Sequence, residues 1–156
     1  MIISRRILRS SFSNILLIIF CTLFFGACKK DATDHNPVPK ITFVSATPST
    51  VQEFTDSLVL KIYYVDGDGD LGENNPDVKN MFVTDNRIGI TYQYRIQQLA
   101  PDNSSIPIQG NLNTVLNNVS ITDGSSAQNA TFSIYVVDRA GNKSNTVTSG
   151  NVTIVK

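Results

Sequence analysis

The stretch SLVLKIYYVDGDGDLG, Ser57 to Gly72, decides how this chain is read. Its first half alternates: Leu58, Leu60, Ile62 and Tyr64 share one face of an extended strand, and Val59, Lys61, Tyr63 and Val65 share the other. This pattern predicts a core strand with a partly wet back. The second half places Asp66, Asp68 and Asp70 within five residues and separates them with glycines. Glycine lets the backbone turn sharply, and clustered carboxylates are how proteins assemble an oxygen-lined cation site.

Working outward, the same period of two recurs along the chain. Ile41 to Ala46 predicts a first edge strand, with Ile41, Phe43 and Ser45 on one side, ended by Pro48. Met81 to Thr84 is short and apolar. Ile90 to Gln98 gives the cleanest alternation, with Ile90, Tyr92, Tyr94 and Ile96 expected to face inward. Ile106 to Ile108 reads as a short strand, and Leu112 to Ile121 as a segment holding at least one. Asp123 to Asn129 reads as a loop. Thr131 to Val137 predicts a strong strand with Phe132, Ile134 and Val136 on one side, and Thr146 to Val155 a last one. Within that last strand the apolar residues change parity, which a bulge at Gly150-Asn151 would restore. About seven strands, frequent turn signals and no helical period after residue 40 predict an all-β fold, an antiparallel β-sandwich spanning residues 41–156. Such a chain can bury roughly two-thirds of its unfolded surface.

The first 40 residues follow different rules. Met1 to Ser10 is basic through Arg5, Arg6 and Arg9, and Ile15 to Phe25 is an apolar run broken only by Cys21 and Thr22. Gly26, Ala27 and Cys28 follow, and the layout is that of an export signal. The run is well short of the roughly 20 apolar residues a spanning helix needs. The boundaries expected are therefore a signal peptide over 1–27, a flexible tether over 28–40 and the sandwich beyond. Asp31 to Lys40, with Pro37, Pro39 and the one histidine, has no apolar period. His35 has no neighbouring group to orient it as a base or ligand.

Phe25-Gly26-Ala27-Cys28 resembles a bacterial lipobox, in which two small residues precede a cysteine that becomes the lipidated first residue. Phe25 stands where that motif usually carries an aliphatic residue. The resemblance implies a Gram-negative lipoprotein, with the Cys28 thiol taking up diacylglycerol and holding the chain on a membrane. An aspartate directly after the cysteine favours inner-membrane retention in such proteins. Lys29 stands there, so the outer membrane is expected, with the periplasmic and cell-surface faces both open. Losing the three leader arginines from 13 basic residues leaves 10 against 13 acidic ones, a net charge of about −3. No basic patch remains for nucleic acid. With Cys21 removed and Cys28 acylated, no disulfide can form.

The order of elements, together with Asp138-Arg139-Ala140-Gly141-Asn142-Lys143-Ser144-Asn145, resembles bacterial immunoglobulin-like domains, whose last hairpin often carries aspartate, then alanine-glycine-asparagine, then serine. The cysteine pair and buried tryptophan of antibody domains are absent, so the resemblance implies a cadherin-like or fibronectin-like relative. In that arrangement the loops after Val65 and Val137 emerge at one end of the sandwich, bringing Asp66, Asp68 and Asp70 near Asp138 and Asn142.

Two readings of this acidic end stand. It is a solvated turn, or it holds calcium, whose all-oxygen preference suits Asp66, Asp68, Asp70, Asp77, Asp138 and Asn142, with Glu73, Asn74 and Asn75 as further donors. The spacing resembles an EF-hand loop, but Leu71 stands where that loop needs glycine. The final glutamate and flanking helices are also missing, which argues against an EF-hand. No nucleophile-histidine pair, Gly-x-Ser-x-Gly elbow or phosphate loop is present, so no enzyme activity is expected. The expected role is a lipid-anchored envelope module that binds a protein partner or serves structural display. The alternative is glycan binding in an outer-membrane nutrient-uptake system, which would require tyrosines such as Tyr63, Tyr92, Tyr94 and Tyr135 to form an exposed row on one sheet face.

Overall fold

A computed structural model describes residues 36–156. The expected signal peptide, Cys28 and the expected tether as far as His35 lie outside the described residues. The described residues form ten strands and no helix: β1 Lys40–Thr47, β2 Thr50–Gln52, β3 Leu58–Asp66, β4 Met81–Asp85, β5 Thr91–Tyr94, β6 Ile108–Leu116, β7 Ala127–Ala130, β8 Phe132–Val136, β9 Val147–Thr148 and β10 Val152–Val155.

One sheet has the order β1-β3-β6, with β3 antiparallel to both neighbours. The other is built from β5-β4-β8-β9 and β2-β10-β7, which are continuous because β7 and β8 are halves of one run and β9 and β10 of another. The two sheets make an all-β sandwich with about seven strand positions, β1 and β2 being one strand divided between the sheets at Pro48. Leu58, Leu60, Ile62 and Tyr64 of β3 are buried in a single apolar cluster with Met81 and Val83 of β4 and Phe132, Ile134 and Val136 of β8. On the back of β3, Val59, Lys61, Tyr63 and Val65 are half-buried, as the alternation required. Each inward side chain removed from water contributes about 1.5–3 kcal/mol, so this interface between sheets holds the fold.

The last strand departs from regularity in a legible way. Ser133 pairs with Thr148 and Ile134 with Val147, while Ala130 pairs with Val152, so one extra residue lies between Thr148 and Val152. This is the bulge expected around Gly150-Asn151. A second slip lies nearer the chain's turn, where Val137 bridges Lys143. At both irregularities a serine hydroxyl stands in for a missing carbonyl. Ser149 Oγ accepts the Phe132 N–H at 2.9 Å, and Ser144 Oγ accepts the Val136 N–H at 3.0 Å. Both amides are buried, so Ser149→Ala leaves one without an acceptor. The expected cost is about 1–3 kcal/mol, read from urea denaturation, whereas an exposed strand serine should cost almost nothing.

Four expectations are corrected. The Ile90–Gln98 pattern yields only the four-residue edge strand β5, and Ile90 and Tyr92 are 52% and 37% exposed. Alternation fixes parity, but burial also needs a facing sheet. Tyr94 and Ile96 share a cavity wall with Leu112 and Thr114 of β6, and Tyr94 Oη donates to the Val115 carbonyl at 3.2 Å. Beyond Tyr94 the segment is held by Asn80, whose Oδ1 accepts the Ile96 N–H and whose Nδ2 donates to the Ile96 carbonyl. A side chain there replaces a strand partner. Second, Ile106–Ile108 and Leu112–Ile121 resolve into one strand, β6. Third, the loop expected over Asp123–Asn129 contains β7, whose polar sequence is ordered by its ladder with β10. The short β2, for which no strand is predicted, pairs with β10 in parallel. Fourth, a bulge at Val44 in β1 turns Ala46 rather than Ser45 toward the core.

Candidate metal centre

Alternation along β3 continues one residue past Val65, and this puts the first carboxylate inside. Asp66 lies on the same face as Leu58 and Tyr64 and is 0% exposed. Its Oδ2 accepts the Leu71 N–H at 2.7 Å, which folds residues 66–71 back over the end of the strand. Leu71 is fully buried and plugs this turn from the core side. Gly69 and Gly72 have φ of 76° and 92° and lie so close to the backbone of Ile106 and Gln97 that neither has space for a Cβ.

The loop after β8 meets this turn at the same end of the sandwich. Asp70 Oδ2 accepts the Ala140 N–H at 3.0 Å, the Asp70 carbonyl accepts the Arg139 N–H, and Arg139 Nη1 donates to the Gly72 carbonyl at 2.9 Å. The expected juxtaposition of the two aspartate loops therefore holds. Asp66, Asp68 and Asp70 each offer one carboxylate oxygen, and these three lie within 4.8 Å of one another. A single ion seated among them needs at most ~2.8 Å to reach all three, close to the roughly 2.3–2.6 Å of calcium–oxygen bonds.

The unused oxygens make the case sharper. Asp66 Oδ1, Asp68 Oδ1 and Asp70 Oδ1 are buried with no hydrogen-bond partner, and among the described residues no other buried side-chain nitrogen or oxygen is left so. Buried polar atoms are nearly always satisfied, and leaving one oxygen unsatisfied on each of three neighbouring carboxyls is costly. Burial pushes the Asp66 carboxyl up to about 6, and the Asp68 and Asp70 charges add to that against the Leu71 hydrogen bond. Asp70 is raised too, by burial first and then by Asp138 and Asp68. A proton relieves this repulsion at low pH. At neutral pH a cation coordinated by one oxygen from each of the three carboxylates would relieve it as well.

The other expected donors are placed differently. Asp138 adjoins Asp70 electrostatically, but its Oδ1 accepts the Asn142 N–H at 2.7 Å and its Oδ2 accepts from Asn142 Nδ2 at 2.9 Å. Asp138 and Asn142 thus shape their own turn and add negative charge beside the centre. Asp77 is exposed in a separate turn, where its N–H donates to Asn75 Oδ1. Glu73 accepts the Asn75 N–H, and Asn74 pairs with Gln98. The inward parity of Asp66 was available from the sequence by counting on from Tyr64. The closure of Leu71 onto Asp66 had no sequence signal.

Two cavities of about 430 and 420 Å³ lie elsewhere, along the segment from Tyr94 to Asp102, and no triad carboxylate lines either. Among the tyrosines only Tyr92 is exposed; Tyr63, Tyr94 and Tyr135 are half-buried and Tyr64 is buried. Tyr135 stacks on Phe82 with centroids 4.8 Å apart, and Lys143 Nζ lies 3.8 Å from its centroid. Phe82 and Lys143 both lie over the Tyr135 ring, whereas a sugar platform needs a free ring face. No protein-family model matches this chain, and no curated protein matches it.

Proposed function

We propose that this chain is a lipid-anchored, non-catalytic module of the cell envelope, in which one pole of a β-sandwich is ordered by a bound calcium ion and the body serves binding or display. The observation that carries the cation is that Asp66, Asp68 and Asp70 bring carboxylate oxygens within 4.8 Å of one another, while each of the three also keeps a buried oxygen with no hydrogen-bond partner. Calcium is favoured over magnesium because the donors come from a turn with backbone on several sides, and calcium tolerates irregular oxygen shells where magnesium demands a near-ideal octahedron.

The anchor is argued from sequence: Phe25-Gly26-Ala27-Cys28 supplies the thiol, and Asn36 stands eight residues after Cys28. At full extension that segment spans at most ~28 Å, so the sandwich would ride close to the bilayer. Two or three acyl chains, at ~0.8 kcal/mol per buried methylene, hold a protein there where one would not. Cys28→Ser is therefore expected to move the chain from the detergent phase to the aqueous phase in a phase-partition assay and to abolish incorporation of labelled palmitate. A variant that still partitions with membranes would remove the anchor from this reading.

A further inference from the structure

The acidic turn touches more of the chain than a local loop would. Between Asp66 and Asp68, buried Gly67 donates its N–H to the Asn36 carbonyl at 3.0 Å. Asn36 lies four residues ahead of β1, and its own Oδ1 accepts the Val38 N–H at 3.0 Å before Pro39 is buried. Gly69 rests on the backbone of Ile106, the Glu73 N–H donates to the Ile96 carbonyl, and Asp70 holds Arg139 and Ala140. The residues around the carboxylates thus hold four separated segments, one of which leads into β1.

From this we infer that cation binding at Asp66, Asp68 and Asp70 clasps the segment Asn36–Pro39 to the pole, so that calcium sets how firmly this segment ahead of β1 is held against the sandwich. The inference rests on the calcium reading above. Its physical basis is that Gly67 lies between two ligands. With the ion absent, repulsion among the three carboxylates opens the turn and tilts the Gly67 N–H away from Asn36. With the ion present, Asp66 and Asp68 are fixed from both sides, and the Gly67 amide is held at its acceptor. The clasp has two parts that move together: the turn and the hydrogen bond to Asn36.

Amide exchange followed by NMR on the full chain in detergent, with and without millimolar calcium, tests this, alongside a thermal melt under the same conditions. The expected result is that calcium raises the melting temperature and slows exchange of both Gly67 and Val38 at least about tenfold. Neither effect should occur in Asp68→Asn, which loses a ligand but no backbone hydrogen bond. If calcium raises the melting temperature and protects Leu71 and Ala140 but leaves Gly67 and Val38 unchanged, the centre stands and the clasp is overturned. If calcium changes neither melting nor exchange, the calcium reading fails and takes the clasp with it.

Discussion

Without divalent cations, the folded domain is expected to lose about 3 kcal/mol of stability between pH 4 and pH 7, and calcium is expected to cancel that loss. The sign follows from Asp66. Its carboxyl is raised from 3.8 to about 6, chiefly by burial and further by the neighbouring carboxylates. Between those values the folded chain holds a proton that the unfolded chain has released. The stabilising contribution is therefore complete below about pH 4 and is lost as the pH rises through about 6. At ~1.4 kcal/mol per pH unit, a shift of this size amounts to about 3 kcal/mol. Asp70 moves in the same direction and adds to the slope.

On the proposed reading, calcium takes the proton's place. At 100 times its dissociation constant a bound ion adds ~2.7 kcal/mol, enough to flatten the profile at neutral pH. Urea denaturation followed by tyrosine fluorescence, repeated across the pH range with calcium or chelator, gives both curves. Asp68→Asn separates repulsion from ligation: cation-free at pH 7 it should be more stable than the parent, and with calcium less stable. Parallel curves with and without calcium, flat from pH 4 to 7, would remove the centre altogether.

How far the sequence anticipates this depends on which physical signal each part carries. β3 and β8 are legible because both of their faces are patterned by burial, and the Leu58–Tyr64 and Phe132–Val136 alternations survive unchanged in the fold. The meeting of the two aspartate loops is legible because strand order alone decides which loops share an end. β5 is over-read because Ile90 and Tyr92 satisfy the period of a strand that has no sheet opposite them. β7 is under-read because AQNA has no apolar period, and its backbone is ordered by pairing with β10. The same limit applies within the centre. Residue type nominates Asp77, Asp138 and Asn142 as readily as Asp68, and only the Asp138–Asn142 hydrogen bonds reveal that those two are occupied with each other. Asn80, Ser144 and Ser149 were invisible for a related reason: each acts as backbone, which no side-chain pattern encodes.

The turn's packing yields a second large effect. In Gly69→Ala the new Cβ would fall 2.2 Å from the Ile106 carbonyl oxygen, on a backbone with φ of 76°. The left-handed conformation costs an L-residue about 1–2 kcal/mol. Forcing apart closely packed backbone adds roughly 1–3 kcal/mol more, so a total of about 2–5 kcal/mol is expected. Gly124→Ala isolates the first contribution: its φ is 78°, and an added Cβ meets nothing within 4 Å. It should cost only about 1–2 kcal/mol. The two variants also differ in their calcium response. Relief of the Gly69 clash must move residues 68–70, which carry two of the three ligand oxygens, so Gly69→Ala should lose most of the calcium-induced rise in melting temperature while Gly124→Ala keeps it. Equal costs for the two substitutions, with calcium responses intact in both, would mean that the turn is not pressed against Ile106 and that its carboxylates are free to splay into water.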